Sequence, residues 1–233
     1  MKFRHELKYL INYGDAELMK QRLKPLLAPD EHAVNGKYHI RSLYFDDYWN
    51  TAYQDKLSGV QGRKKYRIRL YNLEDDFIRL ECKIKSGAYI SKISAPLTRA
   101  EADKILNGDY GFLLHHEYEL CRQFYYECMS NVMRPKVYVD YEREPYVMNA
   151  GDLRITFDSD VRGAYPGYGI TEKDMAFQYV LEPGKLILEV KFTEFLPKLV
   201  QEVLPVRAVD YSAVSKFLLC CQKVNYMTAS DSE

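Results

Sequence analysis

The stretch RKKYRIRLY, residues 63–71, packs five cations into nine positions. On a strand, side chains alternate between two faces, so Lys65, Arg67, Arg69 and Tyr71 share one side while Tyr66, Ile68 and Leu70 share the other. One side suits packing and the other is densely cationic. Two settings produce such a strand: a sheet with one wet face, or a wall lining a space that holds an anion.

Outward from this stretch, period-two alternation recurs in 3–11, 38–46, 77–85, 89–97, 136–147, 153–161 and 185–193, giving about eight strands with 64–71. Short turn signals at 72–76 and at Ser86-Gly87 point to antiparallel meanders. Helical patterns fall at 15–27, with Asp15 as N-cap, and at 49–57, 98–106, 117–129, 196–204 and 212–224. Thr98 and Glu101 have capping-box spacing. The loop 163–174 is Gly-rich but has neither the GxGxxG nor the GxxxxGK[ST] pattern, so it is read as a loop and not as a nucleotide cradle. With no Pro, Gly or Ser linker and no repeat, the expectation is one domain over 1–225 and a flexible tail over 226–233.

Composition narrows the partners. The 233 residues carry 33 Lys plus Arg and 33 Asp plus Glu, so any anion affinity must come from local segregation of charge, with no bulk attraction to nucleic acid. The 21 Tyr fit half-buried strand faces. Five cysteines, an odd number with no CxxC pair, read as reduced structural thiols, and Cys220-Cys221 falls on an apolar helical stripe. The charged start lacks a signal-peptide apolar region, and no apolar run approaches the roughly 20 residues of a membrane span. A cytoplasmic protein is expected, with room for a membrane-protein partner.

The strand faces repeat the opening pattern. Arg79, Glu81, Lys83 and Lys85 lie opposite Ile78, Leu80, Cys82 and Ile84; Lys185, Ile187, Glu189 and Lys191 lie opposite Leu186, Leu188, Val190 and Phe192. Arg154, Thr156, Asp158 and Asp160 oppose Leu153, Ile155 and Phe157, and Arg4, Glu6 and Lys8 oppose Phe3, His5, Leu7 and Tyr9. An open sheet with one wet face accounts for this, and so does a closed barrel with its charges inside. Converging like charges repel and lose solvation, so the barrel requires counter-charges, water or a ligand within. A polyanion meets that need, because Arg and Lys donors match phosphate oxygens.

HELKY (5–9), YFDD (44–47), RKKYRIRLY (63–71), LECKIK (80–85), YVDYEREPY (138–146), LRITFDSD (153–160), LILEVKF (186–192) and AVSKF (213–217) occur in the order and rough spacing of the VTC domain. Over about residues 2–223 the chain resembles that family of polyphosphate polymerase domains, within the CYTH-like triphosphate tunnel metalloenzymes. The resemblance implies an α+β fold: an antiparallel β-barrel forming a basic tunnel, with helices packed outside. By similarity, Lys8, Arg67, Arg69, Lys83, Lys92, Arg143, Arg154 and Lys216 would hold phosphates, with Tyr141 a phosphate donor on the face of Arg143. Lys8, Arg67, Arg69, Lys83, Arg143 and Lys216 form the expected catalytic set. Glu189 would carry Mn²⁺ or Mg²⁺ with Lys191 beside it, since one carboxylate suffices when phosphates and water complete the shell.

The first strand departs from the ExExK of the wider superfamily: Arg4 stands where the first carboxylate would be, and Glu6 is free to pair with a neighbouring cation. This favours the polymerase branch over a two-metal hydrolase. The implied reaction moves the γ-phosphate of ATP, or another nucleoside triphosphate, onto a growing polyphosphate chain. Hydrolysis of a triphosphate and non-catalytic binding of polyphosphate or inositol phosphate are the alternatives. His5, His32, His39 and the pair His115-His116 lack metal-ligand spacing, and Phe124 to Tyr126 reads as packing.

Overall fold

The computed structural model describes residues 5–30, 33, 35–86, 89–148, 150–193, 195–204 and 214–230. In chain order the elements are β1 (His5–Asn12), α1 (Tyr13–Leu23), β2 (Ala28–Pro29), β3 (Tyr38–Asp46), α2 (Thr51–Leu57), β4 (Arg63–Tyr71), β5 (Ile78–Ser86) and β6 (Tyr89–Leu97). There follow α3 (Arg99–Leu106), α4 (Glu119–Ser130), β7 (Arg134–Met148), β8 (Leu153–Ala164), β9 (Gln178–Tyr179), β10 (Lys185–Phe192), α5 (Lys198–Val203) and α6 (Lys216–Ser230). The expected strands all form, and two two-residue strands, β2 and β9, join them.

The hydrogen-bonded path runs β1-β10-β8-β7-β3-β4-β5-β6, with β2 on β7 and β9 on β8. The class is therefore α+β with an antiparallel sheet, but among the described residues hydrogen bonds do not close it: β1 and β6 are the two ends of the path. The chain divides into two compact units, Met1–His39 with Tyr141–Val161 and Tyr179–Ser215, and Ile40–Asp140 with Arg162–Gln178 and Lys216–Glu233.

In the first unit, Leu153, Ile155 and Phe157 of β8 and Leu186, Leu188 and Val190 of β10 form a buried cluster with Ala16, Met19 and Leu23 of α1 and Val200 of α5. Helix α1 begins earlier than expected: Asn12, not Asp15, is its N-cap. The Asn12 side chain accepts from the Asp15 backbone N–H at 2.7 Å and donates to the Asp15 carboxylate at 2.8 Å, so Asp15 sits in the first turn, where a negative charge complements the helix dipole.

In the second unit, Tyr66, Ile68 and Leu70 of β4 are buried with Leu80 and Cys82 of β5 and Ala95 of β6 against Ala102 and Ile105 of α3 and Leu120, Cys121, Phe124 and Cys128 of α4. The apolar side of RKKYRIRLY thus lies beneath helices. Thr98 and Glu101 close both bonds of the capping box on α3. Asp140, fully buried, holds the equally buried Arg41 at 2.8 Å and Arg162 at 3.1 Å. Arg41 also donates to the carbonyls of Ile170 and Glu172, which ties the Gly-rich loop to this unit. Gly163 has a packing role there, because a Cβ on it would stand 2.8 Å from the Cβ of Cys220 on α6. Helix α6 continues to Ser230, through residues where the sequence suggests a tail. Arg4, His32, Gly87, Ser212 and Ala213 lie outside the described residues.

Candidate functional site

Strand register fixes which side chains meet. Across β1, β10 and β8 of the first unit it makes a row of Lys8, Glu189 and Thr156 beside a row of Glu6, Lys191 and Arg154. Two carboxylates and two ammonium groups alternate here: Lys8 lies 3.2 Å from Glu6 and 3.5 Å from Glu189, and Lys191 lies 2.9 Å from Glu189 and 3.7 Å from Glu6. Glu6 therefore pairs with cations, as the sequence suggested.

Arg143, from β7, donates to both Asp158 oxygens at 2.6 and 2.7 Å and reaches Glu189 at 3.5 Å. Burial opposes its charge, but Asp158, Tyr141 and Glu189 outweigh burial and raise its pKa well above the ordinary arginine value. Its guanidinium lies 5.3 Å from the Tyr141 ring, so these two expected residues are together. Arg154 pairs with Asp30 and donates to the Tyr38 hydroxyl, both at 2.8 Å. Burial lowers the pKa of Lys191 despite Glu189 and Glu6, and repulsion from Arg143 and Lys8 adds to it.

In the second unit, β4, β5 and β6 set three rows: Lys65, Lys83 and Lys92; Arg67, Glu81 and Ser94; Arg69, Arg79 and Pro96. On the other side of β4, β3 places Tyr44 opposite Arg67 and Ser42 opposite Arg69. Arg67 donates to Glu81 at 2.7 Å and to the Tyr44 hydroxyl at 2.8 Å; Lys92 holds the other Glu81 oxygen at 2.9 Å; Arg69 donates to Ser42 at 3.0 Å. Burial works against the Glu81 charge, but Arg67, Arg69 and Lys92 prevail and hold its pKa down to about 2. Burial works against the Tyr44 phenolate too, but Arg67, Arg69 and Lys83 prevail and lower its pKa. Lys65 shifts the other way: burial first, then Lys56 and Arg63, bring it down to about 7. Its ammonium lies 4.4 Å from the ring of Phe217, one residue after Lys216, with which α6 begins.

The structure thus gathers Lys8, Tyr141, Arg143, Arg154, Glu189 and Lys191 in one set and Arg67, Arg69, Lys83 and Lys92 in another. Sequence reading missed the partners Asp30, Tyr38, Ser42, Tyr44, Asp158 and Glu81, and the further cation Arg79. Alternation had put Arg79, Glu81 and Asp158 on the charged faces, but only register shows what they meet.

Among the described residues no cluster of three or more His, Cys, Asp or Glu can hold a metal, so a site made wholly of protein ligands is absent there. A divalent cation that shares its shell with phosphates and water needs only one or two carboxylates. Glu189 fits. Lys8 and Arg143 stand 3.5 Å from its oxygens and Lys191 at 2.9 Å, whereas Glu81 takes Arg67 at 2.7 Å and Lys92 at 2.9 Å. His116 meets Glu101 at 3.3 Å, and all five cysteines are buried, with burial raising each thiol.

A strand-dominated antiparallel sheet whose apolar faces lie under helices and whose other faces carry basic rows around a carboxylate is the architecture of the triphosphate tunnel class. Residues 3–225 match the VTC domain model, and the chain belongs to the VTC domain family. Among solved structures it resembles a Hippeastrum protein described as an adenylyl cyclase with a dominant triphosphatase activity, at 15% identity over 96% of this chain and 97% of that one, TM-score 0.55. It also resembles a Pyrococcus horikoshii OT3 protein at 13% identity over 95% of this chain and 99% of that one, TM-score 0.50. No curated protein matches it. Among the described residues no helix is long and apolar enough to cross a membrane.

Proposed function

We propose that the protein is a metal-dependent polyphosphate polymerase, moving the γ-phosphate of a nucleoside triphosphate onto the end of a growing polyphosphate chain. The observation that carries this reading is the row of Lys65, Lys83 and Lys92, directly opposite one another on adjacent strands. Like charges so placed destabilise a sheet. A single small anion does not call for a row this wide, together with Arg67, Arg69 and Arg79 in the rows beside it; an extended polyanion does.

In the proposed reaction a terminal oxygen of the acceptor chain, already anionic, bonds to the γ-phosphorus. The bond from phosphorus to the β,γ-bridging oxygen breaks, and the nucleoside diphosphate leaves with the electron pair. No general base is needed, and the work of the protein is positioning and charge neutralisation. Arg143, which donates to Asp158, and Lys8 and Lys191, beside Glu189, would neutralise the triphosphate oxygens. Arg67, Arg69, Lys83, Lys92 and Lys216 would also bind phosphates. Glu189 would hold Mn²⁺ or Mg²⁺, which when bound adds positive charge at the phosphoryl oxygens. No base-reading motif is present in the sequence, so nucleotide selectivity should be loose.

Incubation of the purified chain with ATP and Mn²⁺ or Mg²⁺ tests the reading. Chain growth with diphosphate release supports it. Absence of both overturns it, and free phosphate without polymer selects triphosphate hydrolysis, the reading favoured by the activity of the Hippeastrum protein that shares the fold.

A further inference from the structure

Thr156 stands in the middle of the first unit's basic face. On β8 it alternates with Ile155 and Phe157, both in the core, so its side chain shares a face with Arg154 and Asp158. Its register partner on β10 is Glu189, whose partner on β1 is Lys8. Thr156 is 1% exposed, and its Oγ1 has no hydrogen-bond partner among the described residues.

A β-branched residue is ordinary on a strand, and valine would satisfy that preference with the same shape. The hydroxyl is what needs a reason, because a buried unpaired hydroxyl is unfavourable. The Nε of Arg154, two residues away on the same face, is likewise buried without a partner. Of these two donors, Thr156 lies in the row that contains Glu189 and Arg154 in the row beside it.

We propose that Thr156 is a further phosphate-binding residue, its hydroxyl donating to a nonbridging oxygen of the triphosphate held beside Glu189. This rests on the reading of the face as a triphosphate site. Binding supplies the acceptor that the fold withholds, and Glu189, charged and without a proton to donate, does not duplicate that contact.

The test uses the full chain, with inorganic tripolyphosphate as probe, titrated calorimetrically with and without Mg²⁺, and thermal melting without ligand. Thr156→Val should melt at the same temperature or higher while losing about tenfold in affinity, roughly what one hydrogen bond contributes. Thr156→Ser should return the affinity to within about twofold, since the lost group is the hydroxyl. The loss should appear with and without Mg²⁺; a loss confined to the Mg²⁺ titration overturns the phosphate contact by assigning the hydroxyl to the metal's water. Wild-type affinity in a folded Thr156→Val protein also overturns it, as does an affinity loss that tracks a lower melting temperature and is not recovered by serine. Should the valine variant fail to fold, Thr156→Ala is judged by the same criteria. If the wild-type chain itself does not bind tripolyphosphate, the triphosphate reading fails and takes this inference with it.

Discussion

Replacing Glu81 by glutamine tests whether the second unit's basic face is held together by one carboxylate. Glu81 is 3% exposed and engages Arg67 at 2.7 Å and Lys92 at 2.9 Å, and its pKa falls from the ordinary 4.5 to about 2. That difference of about 2.5 pH units, at about 1.36 kcal/mol each, corresponds to about 3 kcal/mol of stability. Because Lys92 is half exposed and screened by solvent, this figure is the upper end. A carboxyl whose folded pKa is depressed stabilises fully above its unfolded value and loses that contribution as pH falls through the folded one. Urea unfolding of wild type and Glu81→Gln should therefore differ by about 1–3 kcal/mol at pH 7, the gap narrowing between about pH 5 and pH 2 as wild-type Glu81 protonates. Saturating tripolyphosphate should recover more stability in the variant, because Arg67 and Lys92 lose their fixed counter-charge. A gap below about 1 kcal/mol at pH 7, or one that stays constant down to pH 2, would refute the reasoning.

Three other perturbations probe different parts of the molecule. Glu189→Ala should lower turnover with ATP by about 10²-fold or more while tripolyphosphate affinity changes little, as steady-state kinetics and calorimetry would show; equal loss of both would point to a general binding role instead. Because the Lys65 pKa lies at about 7, a bound polyanion should draw a proton onto it at pH 8, seen as a binding heat that varies with buffer ionisation enthalpy and diminishes in Lys65→Met. At pH 6 Lys65 is already charged, and its uptake should vanish. Gly163→Ala should destabilise the chain by about 1–3 kcal/mol in urea, since the added Cβ meets the Cys220 Cβ at 2.8 Å and both are fixed by backbone.

Strand existence and facing were legible in the sequence because burial imposes period two: Tyr66, Ile68 and Leu70 had to be inside if Arg67 and Arg69 were not. The cations of the candidate site were legible for the same reason. Their partners were not. That Lys65, Lys83 and Lys92 line up, or that Arg143 finds Asp158, depends on hairpin register between segments whose faces are known but whose offsets are not. The cap of α1 was missed because Asn12 and Asp15 are both good capping residues and engage each other, so composition alone could not rank them. Division into two units was hidden for a different reason: it falls within strands, after Asp140 in β7 and after Val161 in β8, where no change in composition marks a boundary.

Two rows of the same chemical type now separate by geometry alone. Lys8, Glu189 and Thr156 in the first unit, and Arg67, Glu81 and Ser94 in the second, each set a glutamate between a cation and a hydroxyl residue. In the second row Arg67 donates to Glu81 through its guanidinium and Lys92 takes the remaining oxygen, so the carboxylate is consumed as a brace. In the first row the nearest cation on β1 is a lysine at 3.5 Å, and the arginine that approaches, Arg143, spends its two short bonds on Asp158. Asp158 thereby keeps Arg143 from closing on Glu189 as Arg67 closes on Glu81. Of the two carboxylates, Glu189, with Lys191 at 2.9 Å as its close cation, is therefore the one we propose for a divalent cation, and the proposal leans on Asp158, which holds the two short bonds of Arg143.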